Sequence, residues 1–529
     1  MNRILVADAL APEGLDVFKA AAGVAVDVKV GMKPDELVRA VPGYQALVVR
    51  SASQVTAAVI EAGRDLKVVG RAGIGVDNVD LDAASKRGVL VMNTPLGNAT
   101  AAAEHTIALL FAASRMVPQA TASMKAGKWE KSKFMGRELF GKTLGIVGLG
   151  NIGRIVADRA RGLKMKVVAY DPFLSKEAAA RLEITPVTLD ELWARADYFT
   201  FHTPLTDETR NLVRRDTIAR MKDGVVIVNC ARGGIVNEVD LAEALKAGKV
   251  AAAALDVFEK EPPGASPLFE LSNFICTPHL GASTGEAQVA VSVGIAEQIV
   301  AYLNDGIIAG AVNVPSLSRE VLDALGAYLP LARKLGSLAG QLTRGGASRL
   351  TLEFDGEIAE RATAPLTNAM VEGYLATHLE GAQVNFVNAP IIARERGLDV
   401  IEAKSARAKD YASQITLRVR QDGTETLLVQ GTLFGKNEPR LTRINEYRFE
   451  AVPEGPILIV HNHDKPGVIG AVGTHLGARG INISRMQLGL VKERAAAVAL
   501  WSIDAPASDA VLAELRVLPH IISVTQVVL

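Results

Sequence analysis

The stretch "KTLGIVGLGNIGRIVADRARGLKMKVVAYDP", residues 142–172, decides how this chain folds. An apolar run, "TLGIV", stops at a glycine. Gly148, Gly150 and Gly153 then stand in G-x-G-x-x-G spacing, and "NIGRIVADRARGL" continues as an amphipathic helix. A second apolar run, "KVVAY", ends at Asp171, 18 residues beyond Gly153. The three glycines serve different ends: a tight turn, close approach of backbone to a pyrophosphate, and close packing of helix on strand. The helix start supplies unpaired N–H groups and a partial positive charge to phosphates. An acid at position 171 can accept from both hydroxyls of an adenosine ribose and repels a 2′-phosphate. Glycine-rich turns arise by chance. One framed by two strands, a helix and a strand-end acid predicts a dinucleotide site, with NAD preferred to NADP.

Outward from this unit the same alternation repeats. Ahead of it, "RILVAD", "YQALVVRS", "LKVVGRAG" and "GVLVMNTP" are short apolar runs closed by polar or Gly/Pro turns, the mark of parallel strands joined by helices. Residues 99–116 form an Ala-rich helical stretch. Beyond Asp171 come "YFTFHTP", "GVVIVNCARGG", "AAAALDVFEKEP" and "FICTPHLGAS", giving the second series six strand-like runs. A doubly wound open sheet is expected for each series. Residues 282–304 are expected to be a helix returning the chain to the first sheet. Past "VNVPSLS" the pattern loosens, and the loops "TRGGAS" and "RQDGTE" stand out. From residue 455 it tightens again into strand, helix, strand, strand, helix, strand: a ferredoxin-like βαββαβ order.

A chain of 529 residues is too long for one core and suggests three or four domains. Lys+Arg and Asp+Glu are equal at 58 each, so no global charge points to nucleic acid or an anionic membrane. The early apolar run is broken by Asp8 and is a strand rather than a leader. No run approaches the roughly 20 apolar residues that span a bilayer. Cys230 and Cys276 are the only cysteines, so no disulfide framework exists and a cytoplasmic location is expected. No metal site is assigned.

Strand C-termini of an open α/β sheet line its ligand crevice. In "VIVNCARGGIVNE" a guanidinium, Arg232, follows such a strand; Glu261 in "DVFEKEPPG" and His279 in "CTPHLGAS" follow two more. Each alone could be a surface ion pair, a solvated acid or a turn cap. Together beside a nicotinamide they suit oxidation of a 2-hydroxy acid. An imidazole moves a proton near neutral pH. A carboxylate on its far nitrogen fixes the tautomer. A guanidinium binds a carboxylate through two parallel bonds. The Gly233-Gly234 turn lets backbone approach a substrate closely.

The segments "GRAGIGVDNVD", "MNTPLGNATAAAEH", "GLGNIG", "NCARGGIVNE", "ALDVFEKEPP" and "TPHLGAS" together resemble the D-isomer-specific 2-hydroxyacid dehydrogenases. The nearest likeness is to the long-form members that oxidise 3-phosphoglycerate to 3-phosphohydroxypyruvate at the head of serine synthesis. The resemblance implies Arg232, Glu261 and His279 as the catalytic set. It places cofactor contacts on Asn151, Ile152, Asp171, Thr203, Cys230, Ala231, Asp256 and the turn through Gly281 and Ala282. Ile74 stands where relatives often have Thr, so a hydroxyl contact is lost there while backbone contacts at Gly73 and Ile74 remain. Arg50 and Arg71, which end first-series strands, would meet the substrate phosphate. Lys131 and Lys133 in "KWEKSKFMG" would add charge from a loop reaching a neighbouring subunit.

The resemblance also implies four domains: a discontinuous substrate domain (1–98 and 283–315), a cofactor domain (99–282), an α+β intervening domain (316–455) and an ACT domain (456–529). The intervening domain could bind an anion through Arg440, Arg443 and Arg448. Asn462, Asp464 and Asn482 would hold L-serine as a feedback effector in a homo-oligomer, most simply a tetramer; a plain dimerisation module is the competing reading. Alternatives for the whole chain are a glyoxylate or hydroxypyruvate reductase, which would not need Arg50, Arg71 or the last 210 residues, and a dinucleotide-sensing corepressor on the same fold. A formate dehydrogenase would pair its His with Gln rather than Glu261.

Overall fold

The structure is a computed structural model that describes residues 1–379, 384–407, 409–435, 437–491 and 495–529. Among the described residues the strands form four sheets. The first contains β1 (Asn2–Val6), β2 (Val24–Val28), β3 (Ala46–Val49), β4 (Val68–Arg71) and β5 (Leu90–Asn93), all parallel, in the order β2-β1-β3-β4-β5. β3 and β5 are buried at every position. They therefore read as unbroken apolar runs, as strands covered on both faces must. Helix Gly285–Asp305 packs on helix Pro12–Ala20 and on β4 and β5. Its Val291, Ile295, Ala296 and Ile299 enter the same core as Ile4, Val48 and Val68.

The second sheet contains β6 (Thr143–Val147), β7 (Lys166–Tyr170), β8 (Thr185–Pro186), β9 (Tyr198–Phe201), β10 (Val225–Asn229), β11 (Val250–Leu255) and β12 (Phe274–Cys276). Their order, β12-β11-β10-β9-β6-β7-β8, reverses between β6 and β9, next to the glycine-rich turn. That reversal is where an open α/β sheet leaves a crevice at its strand C-termini. Two strands are additional to those expected. β2 is mostly half-exposed and carries Asp27, and β8 has two residues, one a proline. Both are edge strands, where a continuous apolar run is not required.

The third sheet is mixed: β13 (Arg349–Gly356), β14 (Asp399–Ser405), β15 (Ser413–Gln421), β16 (Thr424–Phe434), β17 (Glu438–Ile444) and β18 (Tyr447–Ala451). Helices Tyr328–Leu342 and Ala364–Ala376 pack together over one face of it. Gly336 and Gly373 sit at that contact, where a methyl group would overlap the backbone of the facing helix. The fourth sheet is antiparallel: β19 (Pro456–His463), β20 (Ile483–Val491), β21 (Ala496–Ile503) and β22 (Ile521–Val528), in the order β20-β21-β19-β22. Helices Val468–Ala478 and Asp509–Arg516 complete the βαββαβ order. The strand expected to open at Arg494 begins at Ala496; Arg494 lies outside the described residues.

Candidate active site

In the glycine-rich turn the three glycines have different surroundings. Gly148 adopts φ 90°, in the left-handed region that favours glycine, and a methyl there would come 2.6 Å from His202 O. Gly153 lets helix Asn151–Gly162 sit on β6, because a methyl would overlap Gly148 O. A methyl on Gly150, by contrast, would meet nothing within 4 Å. The backbone before the helix N-terminus thus faces open space that a pyrophosphate can enter. Asp171 ties the turn to β7: Oδ2 accepts from Leu149 N at 2.7 Å and Oδ1 from Phe173 N at 2.8 Å. Thr203 Oγ1 is buried with no hydrogen-bond partner among the described residues, and such a group calls for a bound acceptor or donor. These residues fit a dinucleotide. Asn151 crosses to the other wall of the cleft, Nδ2 donating to Pro95 O at 3.3 Å. Burial pushes the Cys230 thiol up to about 12, so it is a neutral wall residue.

Beyond β11 and β12 the structure brings Glu261 and His279 together, with His279 Nδ1 2.7 Å from Glu261 Oε2. An ionised carboxylate only accepts, so Nδ1 carries the proton and Nε2 is the nitrogen left for a substrate. Glu261 Oε1 is held in turn by Phe258 N at 3.1 Å. His279 itself adopts φ 55°, a conformation that costs a side-chain-bearing residue about 1–2 kcal/mol. Asp256 holds it there. This carboxylate is fully buried; it accepts from Thr277 Oγ1 at 2.5 Å, Leu280 N at 2.7 Å and Gly281 N at 2.8 Å, with His105 Nε2 at 3.3 Å. Burial opposes its ionisation, but these hydrogen bonds outweigh burial and leave its pKa lowered. The hydrogen bonds of Asp256 therefore shape the turn through Gly281 that carries His279.

Arg232 leaves the end of β10 on a turn built by buried Asn229, which accepts from Ala231 N (3.0 Å) and donates to Arg232 O (2.8 Å). Gly233 lets that turn lie against Phe258, whose carbonyl a methyl would overlap. The Arg232 side chain then spans the cleft, and its Nε donates to Asp77 Oδ2 at 2.8 Å in the loop after β4. Arg71 lies on the same wall. Burial, then the like charge of Arg232, pushes its guanidinium down to about 10, still cationic at neutral pH, and Arg50 adds a smaller repulsion. Nε of both Arg50 and Arg71 is buried without a hydrogen-bond partner among the described residues. The three guanidinium groups lie within electrostatic reach of one another, and two have an Nε without a partner among the described residues; such a cluster suits an anion.

Gly73 N donates to Thr94 Oγ1, and Ile74 O accepts from Asn93 Nδ2. Lys131 and Lys133 occupy an exposed turn, where Lys133 pairs with Glu130 at 2.6 Å rather than with a cleft residue. In the fourth sheet Asn462 is buried at the end of β19, its Nδ2 donating to His463 O; Asp464 follows on the loop, and Asn482 N donates to Asp504 before β20. Sequence reading missed Asp77, His105, Thr277 and the turn-building role of Asn229. His105 closes the segment "NATAAAEH", but its partner lies 151 positions away.

A dinucleotide turn at a switch point, with Arg, Glu and His on successive strand ends, defines an NAD-binding dehydrogenase of 2-hydroxy acids. The model of the D-isomer specific 2-hydroxyacid dehydrogenase NAD binding domain matches residues 107–281, and that of the D-3-phosphoglycerate dehydrogenase intervening domain matches 324–445. The D-3-phosphoglycerate dehydrogenase of Synechocystis sp. is 44% identical over 516 residues, 97% of this chain and 92% of that one. Its counterpart in Archaeoglobus fulgidus is 44% identical over 528 residues, 99% of both. A crystal structure of NAD+-bound 3-phosphoglycerate dehydrogenase from Entamoeba histolytica is similar at 28% identity and a TM-score of 0.51, over 59% of this chain and 98% of that one. The chain belongs to the D-3-phosphoglycerate dehydrogenase family and is an oxidoreductase with NAD as its cofactor.

Proposed function

We propose that the chain oxidises D-3-phosphoglycerate to 3-phosphohydroxypyruvate, the step that opens phosphorylated serine synthesis. The observation that carries the substrate choice is Arg71: a half-buried guanidinium whose buried Nε has no partner among the described residues, beside Arg232 and Arg50. An unphosphorylated hydroxy acid gives those extra cations no partner. Arg232 holds the substrate carboxylate, and Arg71 and Arg50 the phosphate. His279 Nε2 takes the proton of the C2 hydroxyl as the C–H bond breaks, and Glu261 stabilises the imidazolium that forms. NAD, when bound, accepts the hydride. Gly150 leaves room for its pyrophosphate in a turn that Gly148 and Gly153 close; Asp171 faces its ribose, and Asn151, Ile152, Thr203, Cys230, Ala231, Gly281 and Ala282 line its path. Comparing NADH oxidation with 3-phosphohydroxypyruvate, hydroxypyruvate and glyoxylate tests this. The phosphorylated substrate should have the highest kcat/KM; equal or better use of glyoxylate would make the chain a reductase of small keto acids.

On this reading residues 1–98 with 283–315 form the substrate domain, 99–282 the cofactor domain, 316–455 the intervening domain and 456–529 an ACT domain. Lys131 and Lys133 add charge toward a neighbouring subunit of a cytoplasmic homo-oligomer, most simply a tetramer. L-serine bound at Asn462, Asp464 and Asn482 inhibits through its different affinity for two subunit arrangements. Support comes from the βαββαβ order and from the loop that carries Asp464 after β19. Calorimetry with millimolar L-serine, alongside the rate assay, is the test: neither heat nor inhibition in an active oligomer leaves this unit as an assembly module.

A further inference from the structure

Two glycines in "RAGIGVD" seat two arginines. A methyl on Gly73 would overlap Arg71 Nη1, and one on Gly75 would overlap Arg232 Nη2. Gly75 shows no positive φ, and what a methyl there would meet is the far ends of the Arg232 and Asp77 side chains, both of which would have to shift. Two residues later Asp77 takes Arg232 Nε at 2.8 Å, and Arg232 Nη1 donates to Ala231 O at 2.6 Å. A guanidinium has five N–H donors in a fixed plane. With Nε and one Nη1 hydrogen engaged, the plane is fixed, and the Nη2 hydrogens have no acceptor among the described residues.

We infer that Asp77 is a positioning residue: with Gly75 as its seat, it orients the Arg232 guanidinium across the cleft so that the remaining donors meet the substrate carboxylate. Asp77 belongs to the wall formed by the first sheet and Arg232 to that formed by the second. The carboxylate clamp is therefore assembled from both walls and exists only when they close to this distance. This rests on the reading of Arg232 as the carboxylate-binding group.

Two effects oppose each other when Asp77 is neutralised. Removing an anion from among three guanidinium groups raises the positive potential and favours any anionic ligand. Loss of orientation disfavours only a ligand held by Arg232. The Asp77 side chain is 65% exposed, so its charge effect is screened by water and salt, and orientation dominates. A competing idea, that Asp77 blocks Arg232 as a stand-in for substrate, predicts the opposite sign.

The test uses the full chain with NADH, so that nothing is oxidised, and reads by calorimetry the Kd of two partial substrates that act as inhibitors of 3-phosphoglycerate oxidation. D-glycerate keeps the carboxylate and lacks the phosphate; glycerol 3-phosphate keeps the phosphate and lacks the carboxylate. Asp77→Asn should weaken D-glycerate about tenfold, the scale of one charge-assisted hydrogen bond, and leave glycerol 3-phosphate within about twofold. Gly75→Ala should show the same split, and Asp77→Glu should recover part of the loss. D-glycerate binding that is unchanged or tighter in Asp77→Asn, or an equal loss of both inhibitors, overturns the proposal. Arg232→Ala separates the two readings. If it abolishes D-glycerate binding while Asp77→Asn does not, Arg232 stays in the site and only the role of Asp77 falls. If Arg232→Ala leaves D-glycerate unaffected, the carboxylate assignment itself is wrong.

Discussion

A guanidinium presents parallel donors in one plane, whereas an ammonium is a point charge on a flexible stem. Arg232→Lys keeps the charge and loses the plane, so kcat/KM should fall on the order of 10²-fold or more; near-wild-type kinetics would remove Arg232 from the site. His279→Ala should lower turnover on the order of 10²–10⁴-fold while NADH affinity, read by fluorescence titration, stays close to wild type. A parallel loss of NADH binding would mean that the histidine supports the cofactor site instead. The reactive types were legible because Arg232, Glu261 and His279 each follow a β-rich run, and such ends line the crevice. Their supporting groups were not. Asp77 meets Arg232 across 155 positions, and His105 meets Asp256 from a helix whose other features are those of an Ala-rich packing surface. Local patterning carries no signal for a contact made only when two walls meet.

At the scale of the β6–turn–helix element, the two later glycines should respond differently to the same added methyl. Gly153→Ala forces the helix away from Gly148 O and should cost about 1–3 kcal/mol of stability, as overpacking does. Gly150→Ala meets open space at φ −67°, so the cofactor-free protein should be nearly as stable as wild type while its NAD Kd rises tenfold or more. Denaturant titrations with and without NAD separate the two; equal behaviour would contradict their separate roles. A neighbour of that turn, His202, supplies a pH prediction. Burial pushes the imidazole of His202, just after β9, from 6.5 to about 3. The unfolded chain therefore binds this proton first, and stability falls as pH drops through 6.5 and goes on falling until about 3. His202→Asn should flatten the stability-versus-pH curve in that window; an unchanged slope would show that the folded imidazole titrates normally. The glycine spacing was readable because each glycine answers a local steric demand. β2 and β8 were not, since edge strands need neither length nor unbroken apolarity.

Across the whole molecule, the boundary near residue 455 is visible in pattern but not in packing. Ile457, Ile459, Val498, Leu500 and Val527 of the fourth sheet share one core with Leu331, Leu335, Leu417 and Val429 of the third-sheet unit. Gln341 bonds both the N–H and the carbonyl of Val528, and Tyr447 OH meets His461 Nε2 at 2.8 Å. Leu500→Ala should thus cost about 2–5 kcal/mol and speed amide exchange in β15 and β16 as well as in β21, leaving β6 unaffected. Exchange confined to β19–β22 would mean two independent units. Covalent order and short-range pattern marked where elements change type, but a core shared between successive units arises only once both have folded.

Two half-buried arginines on the first-sheet wall of an NAD-linked hydroxy-acid site, each with a buried Nε that has no partner among the described residues, call for an anion to meet them. In the proposed reaction that anion is the substrate phosphate. The most direct measurement is the ratio of kcat/KM for 3-phosphohydroxypyruvate to that for hydroxypyruvate, in the wild type and in Arg71→Ala. Loss of a charge-assisted bond to phosphate should lower this ratio at least about tenfold, nearly all of it from the phosphorylated substrate. If both substrates lose activity equally, Arg71 supports the cleft without reading the phosphate, and the substrate assignment fails.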